Sequence, residues 1–215
     1  MSSRLAPAIA LLACAAAWAD PVAFPSLTAE ERQLLERRGV VVRDRTPTDN
    51  RGIGAESMAL VEAPTSEVWP VVRDCEHFSR FMPNTKSSAR KEENGESLCF
   101  DEIALPFPLP NLWADTRSKV TEEPQGHFMR SWSLVRGNYN RDSGAWKVLP
   151  WGADGKQSLV VYIIDSDPAM VLPDAILRAA QTGSLPEVFK SIRKRVYGLR
   201  AAAGSAAPSS STAQR

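Results

Sequence analysis

Between residues 84 and 167, apolar and polar positions alternate in short runs broken by turn residues. The runs are KSSARKEE (86–93), SLCFDEIAL (97–105), LWADTRSKVTEE (112–123), FMRSWSLVRG (128–137), GAWKVLPW (144–151) and SLVVYIIDSD (158–167). Asn94-Gly95, Pro106 to Asn111, Pro124-Gln125-Gly126, Gly137-Asn138 and Asp154-Gly155 separate them. A period of two bounded by such turns marks strands, and six in succession with short links mark an antiparallel meander. Before the meander, SMALVEA (57–63) reads as a further strand, ended by Pro64.

The period changes to helical on either side. Thr65 or Ser66 can cap a helix through Val68, Trp69 and Val72; Pro70, which has no N–H to donate, makes it short or late. A second short helix is expected over 76–81, ended by Pro83. After the last strand, Leu172-Pro173-Asp174 opens a helix with Ile176, Leu177 and Ala180 on one face. Ser184 and Glu187 have capping-box spacing, and Leu185, Val188, Phe189, Ile192, Val196 and Leu199 then fall at helical spacing. That stripe must be buried, and the sheet is its only large partner. The order is α+β and describes a helix grip: about seven strands curved around one long C-terminal helix, with two short helices after the first strand. Such an arrangement leaves a cleft between sheet and helix.

Residues 20–54 form an N-terminal extension. Thr28 to Glu31 reads as a capping box for a helix stopped by Gly39; 40–43 is strand-like and 46–54 a polar loop. The domain proper is expected over 55–200, and the Ala/Ser-rich 201–215 is expected to be disordered. The first residues place Arg4 before an uncharged run, Leu5 to Ala19, that ends Ala17-Trp18-Ala19. This is the order of a signal peptide (1–19) cleaved after Ala19, so a periplasmic or secreted protein is expected. Leu11-Leu12-Ala13-Cys14 is a looser lipobox that would instead tether the chain to a membrane.

A chain of 215 residues buries enough surface to fold without a metal, and a net charge of +1 argues against nucleic acid as a partner. Without Cys14, Cys75 and Cys99 remain; they are either a disulfide or two buried thiols. His77 and His127 are the only histidines and no C-x-x-C occurs, so neither a zinc site nor any other cofactor is read. Asp74, Cys75, Glu76 and His77 bring catalytic residue types together, but neighbours along a helix do not face each other. Asp74 is better placed to cap the second short helix. No G-x-S-x-G or G-x-G-x-x-G is present. Enzyme chemistry would have to come from Arg130, Arg117, Asp115, Glu102 or Tyr162 in the cleft; no catalytic residue is assigned.

Alternation groups Phe128, Arg130, Trp132 and Leu134 on one strand face, Trp146 and Val148 on another, and Val160, Tyr162 and Ile164 on a third. Phe81 and Met82 stand near the expected mouth. Residues 105–113, LPFPLPNLW, are apolar, stiffened by proline and too long for a tight hairpin, either a lid or membrane-docking lip or a loop tucked over the core.

The ordered set Ala63-Pro64, Val68-Trp69, Asp74, Phe81-Met82-Pro83, Trp132, Gly137, Gly144-x-Trp146, Pro150, Gly155, Tyr162, Asp167-Pro168 and Leu172-Pro173 resembles the START-like (SRPBCC) superfamily over about residues 55–199. That superfamily includes polyketide cyclase/dehydrase-like and coenzyme-Q-binding proteins. The resemblance implies an apolar pocket. Its ligand-binding candidates here are Phe81, Met82, Phe107, Trp113, Arg130, Trp132, Tyr162, Leu177 and Phe189. Three functions follow, in order: an exported carrier for an apolar small molecule (lipid, quinone or polyketide-like), a cyclase, dehydratase or hydrolase in the same cleft, and a ligand-free interaction or membrane-docking module. A cleft fully packed by Trp132, Trp146 and the terminal helix would favour the last.

Overall fold

The six alternating runs fold as the consecutive strands β3 (Thr85–Glu93), β4 (Glu96–Ile103), β5 (Leu112–Glu122), β6 (Phe128–Gly137), β7 (Tyr139–Trp151) and β8 (Gln157–Pro168). They appear in a computed structural model that describes residues 22–93, 95–179 and 183–205. The expected signal peptide, Cys14, Ala180 and residues 206–215 lie outside the described residues. Ahead of the meander stand α1 (Ala29–Glu36), β1 (Val40–Asp44), β2 (Ile53–Val61) and α2 (Thr65–Arg73); α3 (Asp174–Arg178) and α4 (Leu185–Ser205) follow it. All eight strands join one antiparallel sheet in the order β1-β2-β8-β7-β6-β5-β4-β3. β2 therefore pairs with β8, which brings the start of the domain beside its end.

The extension supplies more than a covering. Its strand β1 is the eighth of the sheet, with Val41 opposite Met58. Helix α1, closed by the Thr28–Glu31 capping box, sets Leu35 against the outer face. On that face Met58, Leu60, Leu149, Leu159 and Val161 pack together; one residue along each strand, Ala59, Val61, Val148 and Val160 pack on the inner face. Both faces are buried here, so the strands read as continuous apolar runs. Ile53 and Gly54, expected in a loop, belong to β2 and are buried.

Helix α2 starts at Thr65 and continues through Pro70 to Arg73. Pro70 deprives the Ser66 carbonyl of its partner, but both residues are exposed, so water can replace the bond. Val68, Trp69, Val71 and Val72 face inward, against Phe189, Ile192 and Val196 of α4. The stripe on α4 is shorter than its spacing suggested, for Leu199 is exposed. The helix itself is longer: it includes Ala201 to Ser205, in keeping with the high helix propensity of alanine, where disorder was expected. At its start the Ser184 amide donates to the Ala179 carbonyl, and Glu187 pairs with Lys190.

Residues Cys75–Arg80 form a 3-10 helix capped by Asp74, whose carboxylate accepts from the Glu76 amide at 3.3 Å and lies 2.5 Å from His77 Nδ1. Asp74, Glu76 and His77 offer ligand atoms within 4.8 Å of one another, at a partly exposed turn. Cys75 is bonded to Cys99 of β4, with the Cα atoms 6.0 Å apart. This bond fixes the 3-10 helix to the sheet across a separation of 24 residues. Closing a loop of that length restricts the unfolded chain by roughly 3 kcal/mol. Reducing the disulfide should lower the unfolding free energy by about that amount. Equal denaturant midpoints for oxidised and reduced protein would contradict this.

Candidate functional site

The inner layer is solid only at one end. Where Phe189, Ile192 and Val196 meet α2 and the sheet, packing is complete. Toward the loops that follow β4 and β8, the sheet and the helices separate around a cavity of about 870 Å³. The residues from α3 and α4 that face it are apolar, among them Ile176, Leu177, Leu185 and Val188. Met82 of the turn after the 3-10 helix, Leu105 and Leu172 line it as well. Trp132 and Trp146 do not fill the cleft. They line it together with Tyr162, whose ring stacks on Trp146 at 4.1 Å and on Trp132 at 5.9 Å. Gly144, opposite Trp132, makes that stack possible: a Cβ there would lie 2.4 Å from the indole.

Five of the nine residues nominated from sequence line the cavity: Met82, Arg130, Trp132, Tyr162 and Leu177. The other four are elsewhere. Phe81 packs between the core clusters, edge-on to Phe78 at 5.9 Å. Phe189 is sealed in the solid core at 0% exposure. Trp113 cannot face inward because its neighbours Leu112 and Ala114 do; it lies outside, near Phe100. Phe107 stands at the tip of the loop after β4, 97% exposed, while Leu105 and Pro106 of the same loop line the cavity. Val171, in the loop after β8, is likewise 96% exposed beside the lining residue Leu172.

The same alternation removes three catalytic candidates. Asp115 and Arg117 share the outward face of Trp113; Asp115 is held by Lys91 and Arg136, and Arg117 by Glu96. Glu102 pairs outside with Lys86 and accepts from Asn111 and Ser87. Their neighbours turn inward instead. Asp101, Thr116, Tyr139, Asp142 and Ser166 join Arg130 and Tyr162 in a polar band along the cavity wall. Sequence reasoning chose Glu102 over Asp101, although Asp101 shares its strand face with Cys99, the half of the pair that could be tied to Cys75. Asp142 lies between the expected turn at Gly137-Asn138 and the expected strand start at Gly144; β7 begins earlier, at Tyr139, and includes it.

Each charged group in this band is displaced from its ordinary titration. Burial pushes the Asp101 carboxyl up to about 7; Arg130 opposes the shift and Asp142 adds to it. Burial also raises Asp142 to about 6, against hydrogen bonds from Ser166 and Trp132. It lowers the Arg130 guanidinium to about 10 and raises the phenols of Tyr139 and Tyr162. Arg130 donates from Nε to Ser118 Oγ and from Nη2 to Cys99 Sγ, both at 3.0 Å. Asp101 Oδ1 is buried without a hydrogen-bond partner.

A sequence family described as polyketide cyclase / dehydrase and lipid transport matches residues 61–192. No curated protein sequence matches the chain. Among solved structures it is similar to a STAR-related lipid transfer protein from Xanthomonas axonopodis, with 19% identity and TM-score 0.61, over 74% of this chain and 94% of that one. It is also similar to human STARD10, with 14% identity and TM-score 0.63, over 78% and 73%. Human StAR-related lipid transfer protein 5 matches with 14% identity and TM-score 0.60, over 80% and 94%. At these identities the likeness establishes the fold.

A carboxyl whose folded pKa exceeds its unfolded value holds its proton in the native state and stabilises it at low pH; the contribution is lost as pH rises through the folded pKa. Asp101 and Asp142 therefore make the ligand-free protein less stable as pH rises through 6 and 7. Glu31, held near 2 by Arg43, acts below this window. The thermal midpoint should fall by about 3 °C or more from about pH 5 to about pH 8, and Asp101→Asn should flatten the slope. An unchanged slope in the variant would contradict the assignment.

Proposed function

The chain belongs to the polyketide cyclase / dehydrase and lipid transport family, with a START-like fold, and from that premise we propose that it is an exported carrier for an apolar small molecule. The observation that carries this reading is the cavity of about 870 Å³ between the sheet, α3 and α4, walled mainly by apolar side chains. Its size falls in the range that encloses one drug-sized or lipid-sized molecule. Burying such a molecule supplies roughly 25 cal/mol per Å² of apolar surface, enough to hold it away from water. Export is supported by the signal-like order of residues 1–19 and by the Cys75–Cys99 bond, which suits an oxidising compartment.

Phe107 and Val171 have no role in packing at 97% and 96% exposure, and each tops a loop that lines the cavity. We read them as the two tips that touch a lipid surface when the ligand enters or leaves. A second reading, proton-transfer chemistry on a bound polyketide-like substrate, is favoured by Asp101, whose carboxyl titrates near 7 inside the cavity.

Transfer of a fluorescent lipid between vesicles tests the first reading. The wild type should accelerate transfer. Ala114→Phe, which projects a ring into the cavity, should slow it. The double variant Phe107→Asp, Val171→Asp should slow it by about tenfold or more while still binding lipid, since two apolar side chains lose about 3 kcal/mol of membrane contact. No acceleration by the wild type would sink the carrier reading, and an unimpaired double variant would sink the docking of these tips.

A further inference from the structure

The polar band inside the cavity is incomplete. It has two carboxyls, Asp101 and Asp142, against one guanidinium, Arg130. Asp142 is satisfied by Ser166 and Trp132. Arg130 directs two of its N–H groups to Ser118 Oγ and Cys99 Sγ. Among the described residues no ion pair within 4.0 Å joins Arg130 to Asp101. Asp101 Oδ1 is buried with no donor among the described residues. A buried acceptor without a partner forfeits its hydration with nothing in return, the more so when charged, and native folds retain few of them. What Asp101 Oδ1 lacks is a donor within reach, and the cavity in front of it is where one would come from.

Resting on the carrier reading, we infer that the ligand has a hydrogen-bond-donating head, a hydroxyl or an amine, which donates to Asp101 Oδ1 while its apolar body lies against Leu177, Leu185 and Val188. A carboxylate or phosphate head could meet Arg130, but its charge would lie beside two carboxyls and oppose the ionisation of each. An ester or ether has only acceptors and would leave Asp101 as it is. The discrimination follows from the site's own unpaired group, the kind of selectivity that apolar contacts alone cannot supply. Tyr139, Tyr162, Thr116 and Ser166 offer hydroxyls around the head without adding a charge that favours an anion.

Four ligands with one chain length separate the possibilities: dodecylamine, dodecanol, dodecanoic acid and methyl dodecanoate, each titrated by calorimetry into ligand-stripped protein at about pH 8, above the range in which Asp101 takes up its proton. The amine and the alcohol should bind at least about tenfold more tightly than the acid and the ester. Asp101→Leu should keep the affinity for the ester and lose the preference for the donors. Asp101→Asn, which retains an uncharged acceptor, should lose it only in part. Equal binding of all four, a preference for the acid, or a preference that survives in Asp101→Leu would overturn the inference and leave the carrier reading standing. Binding of none would overturn both.

Discussion

Packing of α4 against the inner face of the sheet is the contact on which everything else depends. Phe189, Ile192 and Val196 interlock with Val148, Val160 and the apolar face of α2, and their burial is complete or nearly so. One helical turn earlier the contact changes character. Leu185 and Val188 line the cavity, Val188 at the edge of the packed core, and the cavity begins there. One amphipathic helix thus does two things along its length: its middle closes the core and its first turn roofs the site. The closed part is stiff because protein interiors pack densely. The N-terminal extension strengthens the same region from behind, with Leu35 against the outer side of the strands that hold Phe189.

Such a scaffold can keep an unfilled space with charged groups inside it. Burial of Asp101, Asp142 and Arg130 opposes ionisation of each, and no hydrophobic gain is recovered from the groups themselves. A sheet built for stability alone would hold apolar residues at these positions. The solid end of the core and the Cys75–Cys99 bond offset that loss elsewhere. The disulfide also ties the 3-10 helix, whose Phe78 and the following Met82 line the cavity, to the strand that bears Asp101.

The fold was legible in the sequence because its two periods are clean. Strand alternation, turn residues and the stripe from Leu185 to Val196 each report a local preference that the tertiary structure does not override. The site was legible in part, for a definite reason. Alternation groups residues by face but does not say which face turns inward. On β6 the grouping of Arg130 with Trp132 needed only the right side; on β4 and β5 the wrong side was chosen, so Glu102, Asp115 and Trp113 were nominated where Asp101, Thr116 and Leu112 stand. Phe189 shows a second limit: helical spacing tells that a residue is buried, not whether it meets protein or empty space. Val171 gave no signal, because one valine in a loop is unremarkable until the loop is seen beside a cavity.

The central claim, a cavity that encloses an apolar molecule, is tested most directly by native mass spectrometry of the chain purified without detergent, with solvent extraction of whatever is bound. One defined apolar adduct per chain is the expected result. A clean ligand-free mass, with no uptake from a panel of lipids and quinones, would contradict the account.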